Sequence, residues 1–373
     1  MRGRQGGHPG APKRQRLREL GISPGALPPG HLNAITDVTG VRVGHATLIE
    51  GEGSQAIRTG VTVILPHQGN LYRQKVMAAV HTINGYGKAC GFEQVRELGQ
   101  IESPIGLTNT ASVGLVADAL IAWTIEQDPG AYSINVVVGE CNDGYLNDIR
   151  GQHVRREHVW RAIDAAASGP VVEGNVGAGM GMMCFGFKGG VGTASRRLET
   201  AQGGFTVGAL VVSNFGSREL LRIDGLPVGH RLADWEGKPS DPLVSKDEGS
   251  IMMVVATDAP LTGRQLLRVA KRAGLGLART GSAGGHSSGD FVIAFSTANR
   301  IPLVTQSHTR KIEVLVETAE ALNPLFQATV ETVEEAILNA LCAAETMTGR
   351  DGHIAYALPG EAVQAHFRDE RRT

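Results

Sequence analysis

A chain of 373 residues with 36 basic and 37 acidic side chains, a formal net charge of −1 and a pI near 6.9 has no electrostatic reason to bind nucleic acid or an anionic membrane. No apolar run reaches membrane-spanning length, and the basic start lacks the hydrophobic stretch of a secretory signal. Four cysteines, Cys90, Cys141, Cys184 and Cys342, lie far apart without a CxxC pair, which suits free buried thiols in a reducing, cytoplasmic compartment.

Residues 1–18 carry six Arg or Lys among Gly and Pro, which predicts a flexible basic arm over 1–20 ahead of a single folded body over 21–373. No aromatic residues interleave with these charges, which argues against a nucleic-acid tail. Apolar, β-rich runs predict strands over 41–49, 60–65, 76–83, 134–139, 180–187 and 205–213. Several are continuous rather than alternating, the pattern of strands covered on both faces. Helical spacing spans 112–127, where Val113, Val116, Leu120 and Trp123 share a face, and 155–168. A strand over 251–257 leads to an N-cap at Asp258 or Thr262 and a helix to about 273. A strand over 291–297 and a helix over 323–348 follow, with Pro324 near its start and Gly349 past its end. Sheets flanked by helices, an α/β architecture, cover such strands. Fifty glycines scattered among the strands predict tight turns and close backbone approach.

Two motifs suggest chemistry and fail on context. Lys188-Gly189-Gly190-Val191-Gly192-Thr193 has Thr193 where a phosphate loop needs Lys, and is expected to be a Gly-rich turn near the active site. Gly285-His286-Ser287-Ser288-Gly289 matches GxSxG but precedes a strand instead of a helix, so Ser287 is a poor nucleophile-elbow serine, whatever His308, His353 and Asp351 could add. The histidines show no zinc-site spacing, and no metal or cofactor is expected.

The junction Gly249-Ser250 carries more. A polar connector from Trp235, with Pro239 and Pro242, runs into a serine that opens the apolar run Ile251-Met252-Met253-Val254-Val255-Ala256. Cut before Ser250, the chain would present a free α-amine of reference pKa about 7.7–8.0, a base within reach of its own hydroxyl. Gly249, lacking Cβ, takes strained angles and lets that hydroxyl approach the preceding carbonyl.

The segments Asn33–His45, Gly139–Asp148, Val212–Gly216, Gly249-Ser250 and Gly281–Asp290, in that order, resemble the DmpA-type L-aminopeptidase/D-Ala-esterase/amidase (β-aminopeptidase) family of self-cleaving N-terminal-nucleophile hydrolases. The resemblance runs over nearly the whole chain. It implies a four-layer α-β-β-α sandwich of the DmpA/ornithine acetyltransferase type. It further implies two processing products, 1–249 and 250–373, interleaved in one fold and assembled as a homotetramer of αβ heterodimers.

The same resemblance assigns roles. Ser250 is the nucleophile and Gly249–Ser250 the cleavage site. Ser288 supports the Ser250 hydroxyl or amine. Asp290, where some relatives carry Glu, orients Ser288 or steadies a developing positive charge. Asn214 ends a predicted strand, where asparagine is more often a turn residue; the family match makes its amide an oxyanion donor. Glu140 follows an apolar strand, where a buried carboxylate needs a partner, and a substrate ammonium is the natural one. Tyr145 serves the oxyanion, the substrate amine, or packing. Asp143 and Asp148 look like turn residues. The expected activity is release of N-terminal residues from short peptides, amides or esters through a Ser250 acyl-enzyme. Acyl transfer, hydrolysis of ω-amides in oligomers or pantetheine-like compounds, and a non-enzymatic ligand-binding module built on the Gly-rich segment stay open as alternatives.

Overall fold

The computed structural model describes residues 14–235 and 249–370. In chain order the elements are β1 (Arg42–Glu50), β2 (Ile57–Leu65), β3 (Gln74–Gly85), α1 (Phe92–Leu98), β4 (Gln100–Ile101), β5 (Ile105–Asn109), α2 (Val113–Gln127), β6 (Val137–Cys141) and α3 (Arg156–Asp164). There follow β7 (Met183–Cys184), β8 (Phe187–Lys188), β9 (Gly190–Arg197), β10 (Thr206–Asn214), α4 (Val228–Arg231), β11 (Ser250–Thr257), α5 (Gly263–Arg279), β12 (Gly289–Pro302), α6 (Ala319–Ala343), β13 (Met347–Thr348), β14 (Ile354–Ala355) and α7 (Gly360–Glu370).

The strands build a four-stranded sheet, β1-β2-β5-β6, and a six-stranded sheet, β4-β3-β12-β11-β10-β9. Strand periodicity then lays down three apolar layers. In β11, Met252, Val254 and Ala256 join Val212, Ile293, Ile64 and Leu107 between the sheets. Its alternate residues Ile251, Met253 and Val255 face the opposite way, onto Val269 and Ala273 of α5 and Ala336 and Leu341 of α6. On the outer side of the small sheet, Val61 and Val63 meet Val116 and Leu120 of α2 and Val159 of α3. The result is a four-layer α-β-β-α sandwich.

β11 and β12 lie between β3 and β10, so the two segments expected on either side of Gly249–Ser250 share one sheet. β11 pairs antiparallel with β10 and parallel with β12.

Several expectations need correction. The run 180–187 is no single strand: Phe185 (φ 49°) and Gly186 (φ 67°) break it into the hairpin of β7 and β8. Helix α6 starts earlier and ends sooner than 323–348. Thr318 caps it, Pro324 lies inside it, and residues 347–348 turn into β13. The segment 188–193 is mostly strand β9 rather than a turn. Its Gly192 admits α6, since a Cβ there would sit 2.0 Å from the Ala336 carbonyl oxygen. The Lys188 ammonium is buried, donates to the Gly179 and Gly189 carbonyls at 3.0 and 2.8 Å, and is pushed down by burial to about 7. The flexible arm expected over 1–20 does not extend through Leu17 and Arg18, which are part of the folded body. Leu17 is fully buried, its N–H donates to Asn339 Oδ1, and Arg18 pairs with Glu335 of α6. Residues 1–13, and 236–248 of the connector with Pro239 and Pro242, lie outside the described residues.

Candidate active site

β10 ends where β11 and β12 begin, at one end of the six-stranded sheet, which brings Asn214, Ser250 and Gly289 together. Ser250, first in β11, is the direct cross-strand partner of Asn214, last in β10. Both share the parity of the residues between the sheets, so their side chains project to the same side, about 5 Å apart at Cβ. Gly249 has φ 153°, and a Cβ there would lie 2.1 Å from the Asn214 carbonyl oxygen and 2.6 Å from Phe215 Cα. Only glycine fits that crossing. The Gly249 carbonyl, which belongs to the Gly249–Ser250 peptide bond, accepts from the Gly289 N–H at 3.0 Å.

The Ser250 hydroxyl is buried and makes no hydrogen bond to nitrogen or oxygen among the described residues. Its side chain lies against the thiol of Cys141, on the facing sheet, which donates to the Val212 carbonyl at 3.3 Å. Burial pushes that thiol up, away from ionisation near neutral pH.

Asn214 Oδ1 accepts from the Met183 N–H at 2.8 Å, so its Nδ2 group is the side turned to the cavity, and it makes no hydrogen bond among the described residues. The bend at 185–186 that broke the expected strand thus delivers the backbone donor that orients Asn214.

Ser288 donates to Asp290 Oδ1 at 2.6 Å, so the aspartate reaches the serine despite its short side chain. Both are buried at the foot of β12, behind the cavity wall. Asn84 holds this corner, donating from Nδ2 to the Gly285, His286 and Ser288 carbonyls. Ser287 lines the cavity, but β12 follows it directly, as the motif's context implied.

Glu140 is buried at the end of β6. One carboxylate oxygen accepts from the Lys88 N–H at 2.9 Å and the other from the Thr110 hydroxyl. Thr110 arrives through the parallel pairing of β5 with β6, in which Thr108 is the partner of Glu140. Among the described residues no cation forms an ion pair with this carboxylate. Tyr145 stacks on His353, with centroids 4.5 Å apart and planes 10° apart, and the His353 Nδ1 bonds the Tyr145 carbonyl at 2.8 Å. Asp143 is more than a turn residue: it is buried, accepts from Asn147 Nδ2 at 3.0 Å, and is pushed by burial up to about 7. Asp148 pairs with His153 at 3.0 Å.

Ser250, Asn214, Glu140, Tyr145 and Gly249 line one cavity of about 630 Å³, joined by Lys88, Asn142, Arg350 and His353. A carboxylate at one side, an amide donor and a hydroxyl side by side, and an aromatic wall can hold a small amine-bearing acyl compound. Sequence reasoning missed Lys88, Thr110 and Cys141. Among the described residues no cluster of three His, Cys, Asp or Glu could hold a metal ion, and no helix is long and apolar enough to cross a membrane.

Residues 33–355 match the model of peptidase family S58. A beta-peptidyl aminopeptidase of Sphingosinicella microcystinivorans is 45% identical over 372 residues, covering 96% of this chain and 93% of that protein. Among solved structures, the PH0078 protein of Pyrococcus horikoshii superposes with a TM-score of 0.90 at 51% identity, covering 96% of this chain and 100% of that one. The L-aminopeptidase D-Ala-esterase/amidase of Ochrobactrum anthropi, described as a prototype serine aminopeptidase and a variant of the Ntn hydrolase fold, superposes with a TM-score of 0.88 at 42% identity, covering 96% and 99%.

Proposed function

The chain belongs to peptidase family S58 and is a hydrolase of the aminopeptidase/amidase type, and we propose that Ser250 is its nucleophile, freed by self-cleavage of the Gly249–Ser250 bond. The observation that carries this reading is the crossing at Gly249. A glycine forced by the Asn214 backbone, a carbonyl pinned by Gly289 N–H and a buried hydroxyl with no nitrogen or oxygen partner among the described residues meet at one peptide bond. Attack of Ser250 Oγ on the Gly249 carbonyl carbon gives an ester and releases the Ser250 nitrogen as an α-amine; water then opens the ester. In the mature site that amine takes the Oγ proton as Ser250 attacks a substrate carbonyl. Asn214 Nδ2, with Tyr145 or a backbone N–H, donates to the oxyanion. The leaving amine departs protonated and water hydrolyses the acyl-enzyme. The Ser288–Asp290 pair orients the α-amine.

Glu140 receives the substrate ammonium, a counter-charge that its buried carboxylate does not find among the described residues. The beta-peptidyl relative supports substrates whose amine sits one carbon further from the scissile carbonyl than in an α-peptide. The mature protein is a homotetramer of αβ heterodimers, supported by exposed Leu303, Val304, Ile312, Val314 and Val316 in one segment. The four free cysteines support a cytoplasmic location.

Denaturing mass spectrometry tests the reading. Purified protein should give fragments of 249 and 124 residues, and Ser250→Ala should stay whole. An intact wild-type chain that hydrolyses amides at full rate would remove Ser250 from its role. Turnover with and without amine acceptors separates hydrolysis from acyl transfer.

A further inference from the structure

The turn after β3 leaves a lysine beside the ammonium site that a simple amine substrate does not need. Lys88 lines the cavity, and its N–H is the donor to Glu140 Oε1. Gly87 packs this turn over the carboxylate: a Cβ there would come within 3.2 Å of Glu140 Oε1 and 2.7 Å of the Phe291 ring. The Lys88 side chain is exposed, and its ammonium has no ion pair or hydrogen bond among the described residues, Glu140 included. The lysine backbone is thus fixed on the Glu140 carboxylate, while its exposed side chain belongs to the same cavity lining without neutralising that charge. Toward a substrate bearing only an ammonium, the lysine is repulsive at short range. Toward one bearing an ammonium and a carboxylate on the same carbon, the two groups form a complementary cradle.

We propose that the cradle of Glu140 and Lys88 selects β-aspartyl peptides, in which the scissile bond runs through the aspartate side-chain carbonyl. Such a residue is a β-alanyl residue with a carboxylate added on the amine-bearing carbon. The distance from ammonium to scissile carbonyl is the same, so Ser250 and Asn214 meet the same carbonyl. The added carboxylate accepts from the Lys88 ammonium while the ammonium donates to Glu140. The inference rests on the reading of Glu140 as the ammonium site.

The test uses processed wild type, Lys88→Met and Lys88→Arg with β-aspartyl-leucine and β-alanyl-leucine, which share a leaving residue. Wild type should prefer the β-aspartyl peptide in kcat/KM by about tenfold or more, the worth of a charge-assisted hydrogen bond. Lys88→Met should collapse the ratio toward one, and Lys88→Arg should restore most of it. A wild-type ratio of one or less, or a ratio that Lys88→Met leaves untouched, overturns the proposal. Glu140→Gln on β-alanyl-leucine reads the parent assignment separately. No loss there, with a Lys88-dependent ratio, would sink the ammonium site and leave the carboxylate site standing.

Discussion

Asn214 and Ser250 are direct partners across the β10–β11 ladder, and the Asn214 amide is fixed by the Met183 N–H so that its NH₂ group faces the cavity. A donor held by a neighbouring backbone needs no reorganisation when charge develops beside it. Replacing the amide by a carboxylate keeps the shape and inverts the electrostatics.

Asn214→Asp should therefore lower kcat about 10²–10³-fold, the usual effect of one lost oxyanion donor, with KM changed much less. The Met183 N–H still finds an acceptor in the aspartate, so thermal unfolding should stay near wild type. A kcat within threefold of wild type on processed protein would take Asn214 out of the oxyanion site.

Glu140→Gln keeps acceptance from Lys88 and Thr110 possible but removes the charge. A hydrogen bond to a charged group contributes roughly 1.5–3 kcal/mol, so kcat/KM on free-amine substrates should fall about ten- to a hundredfold. N-acetylated substrates should be poor for both proteins. Equal turnover of acetylated and free-amine peptides by wild type would contradict the assignment.

His45 gives the fold an acid-sensitive point. Its Nδ1 bonds the Thr62 hydroxyl at 2.9 Å, and burial lowers its pKa to about 4. The folded pKa lies below the unfolded value, so the neutral ring's contribution is complete above about pH 6.5 and is lost as pH falls toward 4. Denaturant unfolding should show about 2 kcal/mol lost between pH 7 and pH 5 from this residue, and His45→Leu should flatten that part of the profile. A mutant with the wild-type slope would locate the acid sensitivity elsewhere.

Light scattering on processed protein should report about four times the 39.3 kDa chain mass. The segment holding Ile312 (37% exposed), Val314 (42%) and Val316 (64%) presents apolar side chains at every second position, and charged replacements there should shrink the assembly. A mass near one chain at all concentrations would exclude the tetramer.

Strand ends were the legible part of the sequence. Ser250, Asn214 and Glu140 each stand where an apolar run meets a polar residue, which β-periodicity located, while the family resemblance supplied the roles expected of them. Thr110 and Lys88 were illegible because they meet Glu140 through the β5–β6 pairing and a turn more than fifty positions away in sequence. Cys141 was noticed only as an apolar thiol, since its place under Ser250 depends on how two sheets face each other. The misjudged strand over 180–187 failed on a left-handed phenylalanine, Phe185, a conformation that local propensity disfavours and tertiary packing imposes.

If the chain is cut at Gly249–Ser250 as proposed, the placement of β11 and β12 in the middle of the six-stranded sheet gives it a folding history that the processed form cannot repeat freely. Before the cut, those strands find β3 and β10 as parts of one molecule, a unimolecular search whose entropic cost rises only slowly with loop length. After it, the same ladders must form between two separate polypeptides, and recovery from denaturant becomes second order in protein. The processed enzyme would then endure through the slowness of its unfolding rather than through ready return. Uncut Ser250→Ala, with the same contacts, would refold at a rate indifferent to dilution.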